Sequence, residues 1–230
     1  MDRMGAPRSP LALLALSTLA AVLTAAAATS SPAAAGARDG GAEVRRRFGF
    51  AGDAAAFREA VRSDPRFLAR TPDEVGERLA SHIARIEPKV DAFFPRRPKA
   101  PYGVKRLDPE REPGLTFGIY EPPSPSEPRG LYRFNGSKLE DRSLIVAAPL
   151  AYHELVPGHH FQIALQDENT VLPRFRRELW DTAYVEGWGE YAAGLAQEMG
   201  MYEDPHDLYG RLSMDMFLSV RLVVDRQRKK

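Results

Sequence analysis

Cysteine is absent from the 230-residue sequence. Its absence excludes disulfides, thiolate metal sites and cysteine nucleophiles, so any metal must be held by imidazole and carboxylate. No glycine-rich phosphate loop or nucleotide fingerprint occurs either. Surplus charge is equally scarce. Of 32 basic and 31 acidic side chains, Arg3, Arg8 and Asp2 alone fall in the first 35 residues, which leaves 30 of each sign in the remainder. That balance removes the broad electrostatic attraction on which nucleic-acid and anionic-membrane binders rely, and no nucleic acid is expected as a partner. Histidine is rare, with five in all, yet His153, His159 and His160 share one stretch of eight residues.

The N-terminus reads as an export segment. Two arginines precede an uncharged run over residues 11–28, followed by small residues that suit a cleavage point near Ala35 or Ala37. Residues 1–37 are therefore expected to be a signal peptide, and the protein to be secreted or held in the cell envelope. An uncleaved membrane anchor over residues 11–28 is the rival, because 18 residues reach the lower limit of a span. Residues 38–70 suit a linker and a small helix broken near Pro65, and residues 71–230 form the main body.

The expected class is α+β, mostly helical with a short edge β-sheet. Thr71, Pro72 and Glu74 open a helix as cap, first residue and capping-box partner, and Val75, Leu79, Ile83 and Ile86 give it an apolar stripe. Residues 95–128, rich in proline and charge, suit an extended excursion containing one strand at 115–120; a second is expected at 130–135. Helices are expected over 143–156, from 160, over 172–199 with Gly200 as terminator, and over 208–224.

The histidines carry the chemistry. His153-Glu154 begins like a zinc-protease helix, but the position four residues after His153 is Pro157, so the usual pair of histidines at i and i+4 fails. On a straight helix His159 would point about 240° away from His153, and His160 would lie about 10.5 Å along the axis. A kink or bulge at Pro157-Gly158 would return His159 to the ligand position. On that reading His153 and His159 bind a metal and Glu154 acts on its water; the alternative is a helix end whose histidines fill a turn. A third ligand is available four residues from a potential supporting acid: Glu186 as ligand, with Glu190 orienting an imidazole from behind. Solvent exposure of both acids is the competing reading. Glycines 187, 189 and 194 would let another backbone approach. Two imidazoles favour Zn2+ over a hard, oxygen-seeking ion.

These stretches, YHELVPGHHFQIALQ and YVEGWGEYAAGLAQEMG, together with FFPRRPKAPYGVKRL, GLYRFN and LYGRLSMDMFLSVRLVVD, resemble the bacterial domain of unknown function 885 family, grouped by similarity with gluzincin-like zinc metallopeptidases. The resemblance runs from about Thr71 to Asp225. It implies a metallopeptidase-like core with His153, His159 and Glu186 as ligands and Glu154 as general base. His160 would sit nearby, and GLYRFN would be a sheet edge beside the cleft. Members resembling this chain are longer and continue after RLVVD with a TGIH-like segment, so a partial domain is implied. The expected activity is hydrolysis of a peptide or small amide; Arg221 is a candidate partner for an oxyanion or substrate carboxylate, with a surface salt bridge as its alternative. An inactive metal- or peptide-binding module, or a fragment without activity of its own, are the alternatives.

Overall fold

A computed structural model describes residues 46–228. The proposed leader, including residues 11–28, lies outside the described residues. Within them, no helix is long and apolar enough to cross a membrane.

The architecture is α+β and mostly helical. Helix α1 (Ala54–Ser63) is capped by Asp53 and stops before Pro65. Helix α2 (Pro72–Ile86) starts as expected, with the Thr71 hydroxyl accepting from the Glu74 amide. The Glu74 carboxylate reaches one residue further back than a capping box requires, to the amide of Arg70 at 2.8 Å. Leu79 and Ile86 of its stripe are buried, as is His82 beside them. Phe48 and Phe50, in a stretch read as connector, pack on Phe57, with ring centroids 4.6 and 5.4 Å away.

After the short α3 (Val90–Phe93) come three strands: β1 (Tyr102–Arg106), β2 (Gly118–Glu121) and β3 (Gly130–Phe134). Their order is β1-β3-β2, with β1 parallel and β2 antiparallel to β3. Two expectations are corrected here. Residues 102–106, read as part of an extended excursion, form a strand. GLYRF, expected at the sheet edge, is the central strand, because β1 closes its second side. Four of its five residues are buried, as a strand covered on both edges and both faces requires.

Helix α4 (Ala147–Glu154) is almost wholly buried and packs against α2, α7 and α8. A helix surrounded by protein must be apolar all round, and AAPLAY supplies that. Its alanines allow close approach of α7 (Thr182–Glu198), whose buried stripe is Val185, Gly189, Ala192, Ala193 and Ala196. The single helix expected over 172–199 is instead α6 (Arg174–Arg177) and α7. Asp181 caps the latter through the Tyr184 amide, and Gln166 Nε2, from α5 (His159–Glu168), lies within hydrogen-bond distance of the carbonyls of Arg176, Arg177 and Leu179. Those carbonyls have left the helical ladder, which explains the break. Gly200, at φ 71°, ends α7 as expected. Helix α8 (Pro205–Arg228) completes the fold.

His82 gives a pH-dependence of stability. Burial pushes its pKa down to about 4, against the pull of Asp207 and with the help of Arg85, whose guanidinium donates to Nδ1 at 3.2 Å. The unfolded chain, titrating near 6.5, binds this proton more readily. Stability is therefore full above pH ~6.5 and falls as pH drops toward 4, by up to about 1.4 kcal/mol per unit. Urea unfolding of His82→Gln across that window should show a shallower slope than the parent; identical slopes would remove His82 from the account.

Candidate metal centre

The chain leaves α4 at Glu154, turns through Leu155, Val156, Pro157 and Gly158, and re-enters helix at His159. The Val156–Pro157 peptide is cis. Gly158 lies so close to the end of α4 that a Cβ there would sit 1.7 Å from the His153 carbonyl oxygen and 2.4 Å from that of Tyr152. Only glycine fits this approach. The Trp188 indole donates to the Pro157 carbonyl at 2.9 Å, tying the turn to α7. The two imidazoles that a straight helix would separate thus meet, with ring centroids 4.6 Å apart and planes at 82°.

Helix α7 supplies the carboxylates. Glu186 Oε2 lies 3.6 Å from His153 Nε2 and 4.0 Å from His159 Nε2. One donor atom from each of these three residues falls within 4.8 Å of the others. Gly189 makes the approach possible: a Cβ there would meet His153 Cε1 and Nε2 at 2.7 Å and His159 Cε1 at 2.9 Å. It therefore makes room for imidazoles, where the sequence suggested room for a backbone. Gly187 faces open space.

Glu190, one turn on, binds the far side of His153, with Oε1 2.9 Å from Nδ1. His153 consequently presents Nε2 toward Glu186. His159 has no such support, since its Nδ1 is buried without a hydrogen-bond partner. Burial opposes charge on His153, but the carboxylates of Glu186 and Glu190 outweigh it and push the pKa up to about 10. His159 goes the other way: burial, with the neighbouring His153 charge, pushes it down to about 4. Burial also pushes the Glu154 carboxyl up to about 7, against the attraction of His153 and a hydrogen bond from the Tyr120 backbone.

The donor set fits a transition-metal ion. Tetrahedral zinc with bonds of about 2.0–2.1 Å holds its donors roughly 3.3–3.4 Å apart, so the separations here need only a small inward movement. Such an ion would displace the proton on His153. Two imidazoles with one carboxylate also match the ligand preference of such an ion better than that of magnesium or calcium.

His160 is not among the converging donors. It is fully buried, with Nδ1 3.0 Å from the Tyr120 hydroxyl and Nε2 3.1 Å from the Ala100 carbonyl. The carbonyl can only accept, so Nε2 carries the proton and Tyr120 donates to Nδ1. Both nitrogens are committed, so His160 pins α5 to the sheet close by the ligands, through Tyr120, whose ring centroid lies 6.3 Å from that of His159. Arg221 lies on α8 with its guanidinium 5.8 Å from the Phe217 ring centroid. The arginine brought to the cluster is Arg211, 3.0 Å from Glu190. Neither Arg211 nor Tyr120 was expected here. GRLSMD does place Arg211 and Asp215 four apart, a weak sign of a paired helical face.

Known proteins match this chain along most of its length. A family model for a bacterial protein of unknown function (DUF885) matches residues 24–228. A solved structure from Colwellia psychrerythraea, provisionally described as a lipoprotein, is 30% identical over 96% of this chain, with a TM-score of 0.73. This chain covers 37% of that one, so it spans little more than a third of the relative's length. No curated protein matches.

Proposed function

The chain belongs to the DUF885 family of bacterial proteins, and on that footing we propose that it is a zinc-dependent hydrolase of the gluzincin-like kind, acting on peptide bonds. The observation that carries this reading is the convergence of His153, His159 and Glu186 beside the buried carboxyl of Glu154. The three would hold the ion. When bound, zinc supplies a Lewis acid that polarises the scissile carbonyl. Glu154 does the proton work: it accepts a proton from the attacking water and passes it to the departing amine. The Tyr120 backbone steadies this carboxylate, and Glu190 fixes the tautomer of His153.

The substrate class is a peptide or small amide, and the catalytic unit is residues 71–230. A secreted or cell-envelope location follows from the leader read in the sequence and is supported by the description of the Colwellia relative as a lipoprotein. The test is metal analysis followed by a mixed peptide library. One zinc per chain is expected. His153→Ala, His159→Ala and Glu186→Ala should each weaken binding by about a hundredfold or more, as loss of a ligand implies. Normal zinc affinity in any of them would remove that residue from the ligand set. One tightly held zinc with no cleavage across the library would favour a metal- or peptide-binding module over an enzyme.

A further inference from the structure

We infer that Arg211 is a positioning residue for the metal centre, acting on His153 through Glu190; the inference rests on the metal-binding reading above. Three helices meet in this contact. His153 stands at the end of α4, Glu190 in the middle of α7, and Arg211 on the first half of α8. The two oxygens of Glu190 are divided between the other two residues. Oε1 lies 2.9 Å from His153 Nδ1, and Oε2 accepts from Arg211 Nη1 at 3.0 Å. Arg211 Nη2 also donates to the backbone carbonyl of Glu190 at 3.4 Å and pairs with Asp215 Oδ1 at 2.8 Å.

This is a grip on the whole of Glu190, backbone and carboxylate together. A carboxylate held at one oxygen can swing about its side-chain torsions, whereas one held at both has its plane fixed. The planar fork of arginine suits that task, and a lysine ammonium in its place would act as a single point charge. The arginine is 11% exposed, so its attraction is little screened by water, and Asp215 balances part of the charge brought in.

One small residue makes the reach possible. At Gly210 a Cβ would lie 1.9 Å from the Ile145 carbonyl oxygen, so the glycine seats α8 directly against the turn leading into α4. The seat that Gly210 provides brings its neighbour, Arg211, across to α7. The effect on the ion is indirect. With Glu190 fixed, His153 keeps its Nδ1 proton on the carboxylate and its Nε2 aimed toward Glu186 and His159.

The experiment compares the full chain with Arg211→Ala and Arg211→Lys by two measurements. The first is zinc affinity by chelator competition, which should fall about tenfold in Arg211→Ala, the lower range for loss of a supporting partner, and recover only in part in Arg211→Lys. The second is solvent exchange of the His153 Nδ1 proton, followed by proton NMR on zinc-free chain. It should be slow in the parent and markedly faster in Arg211→Ala. Parent-like affinity with parent-like exchange in Arg211→Ala overturns the assignment, and a change in melting temperature alone does not rescue it. If Arg211→Ala does not fold, Arg211→Lys decides: parent-like values in both measurements overturn the fork, and a fall in either upholds it. If the parent chain takes up no zinc, the metal reading is what fails, and proton exchange still decides whether Arg211 positions His153.

Discussion

Glu154→Gln is expected to keep its zinc and to lose hydrolysis by roughly 10²- to 10⁴-fold, the usual contribution of a positioned general base. The substitution changes almost nothing else. Glutamine has the shape of glutamate, and its amide oxygen can still accept from the Tyr120 backbone. Glu154 is not among the three converging donors, so the ligand set is untouched. What is lost is the ability to take a proton, because an amide does not ionise at working pH. The site also becomes easier to fold: a buried carboxyl, raised to about 7 by desolvation, is replaced by a neutral group. Zinc content and turnover measured on the same preparation check both halves. Full turnover in a zinc-loaded Glu154→Gln chain would refute the proton role outright.

The second large effect is expected at Gly158. An alanine there places a methyl 1.7 Å from the His153 carbonyl oxygen and 2.3 Å from its carbonyl carbon. Both are backbone atoms at the end of a buried helix, so no side chain can swing aside. Overpacking of a core costs about 1–3 kcal/mol where neighbours can adjust, and a clash with fixed backbone belongs at or above the top of that range. The relief available is to part α4 from α5, and that separates His153 from His159. Gly158→Ala should therefore lose about 3 kcal/mol of stability or more in denaturant unfolding and bind zinc far more weakly than the parent. Parent-like stability would mean that the turn between α4 and α5 is looser than its geometry implies.

Residues 71–86 show how much of the fold can be read locally. Thr71, Pro72 and the apolar stripe at helical spacing are contacts within one helix, and they form where expected. The same holds for Gly200, whose positive φ is a property of a single residue. Pairings distant in sequence are a different matter. YGVKR has mixed polarity and follows Pro98 and Pro101, so nothing local marks it as a strand; it becomes one because β3 offers a parallel edge. Once it does, GLYRF is no longer an edge. The break at residues 178–181 was equally hidden, since it depends on the Gln166 amide of another helix donating to the carbonyls of Arg176, Arg177 and Leu179.

The candidate centre divides along the same line. His153, Glu154 and His159 lie in one short stretch, and the proline and glycine between the histidines signal the bend that joins them. Glu186 and Glu190, four apart, could be chosen for sharing a helical face. Arg211 carries no comparable mark: arginine is common in this chain, and only the packing of α8 against α4, which carries its guanidinium to Glu190 of α7, singles this one out. His160 shows the converse. It stands beside a proposed ligand in sequence, yet its two nitrogens belong to Tyr120 and Ala100, because consecutive residues on a helix face different ways.

The three donors are unequally sheltered. The side chains of His153 and His159 are 14% and 8% exposed, whereas that of Glu186 is 61% exposed. The pocket floor is thus nitrogen and its rim is oxygen, with one open flank. An arriving cation would meet the exposed acid at the lip first and the rings behind it, and a chelator would strip it by the reverse route. Loading and removal then need no breathing of the core, and the protein could pass between empty and filled forms while remaining folded.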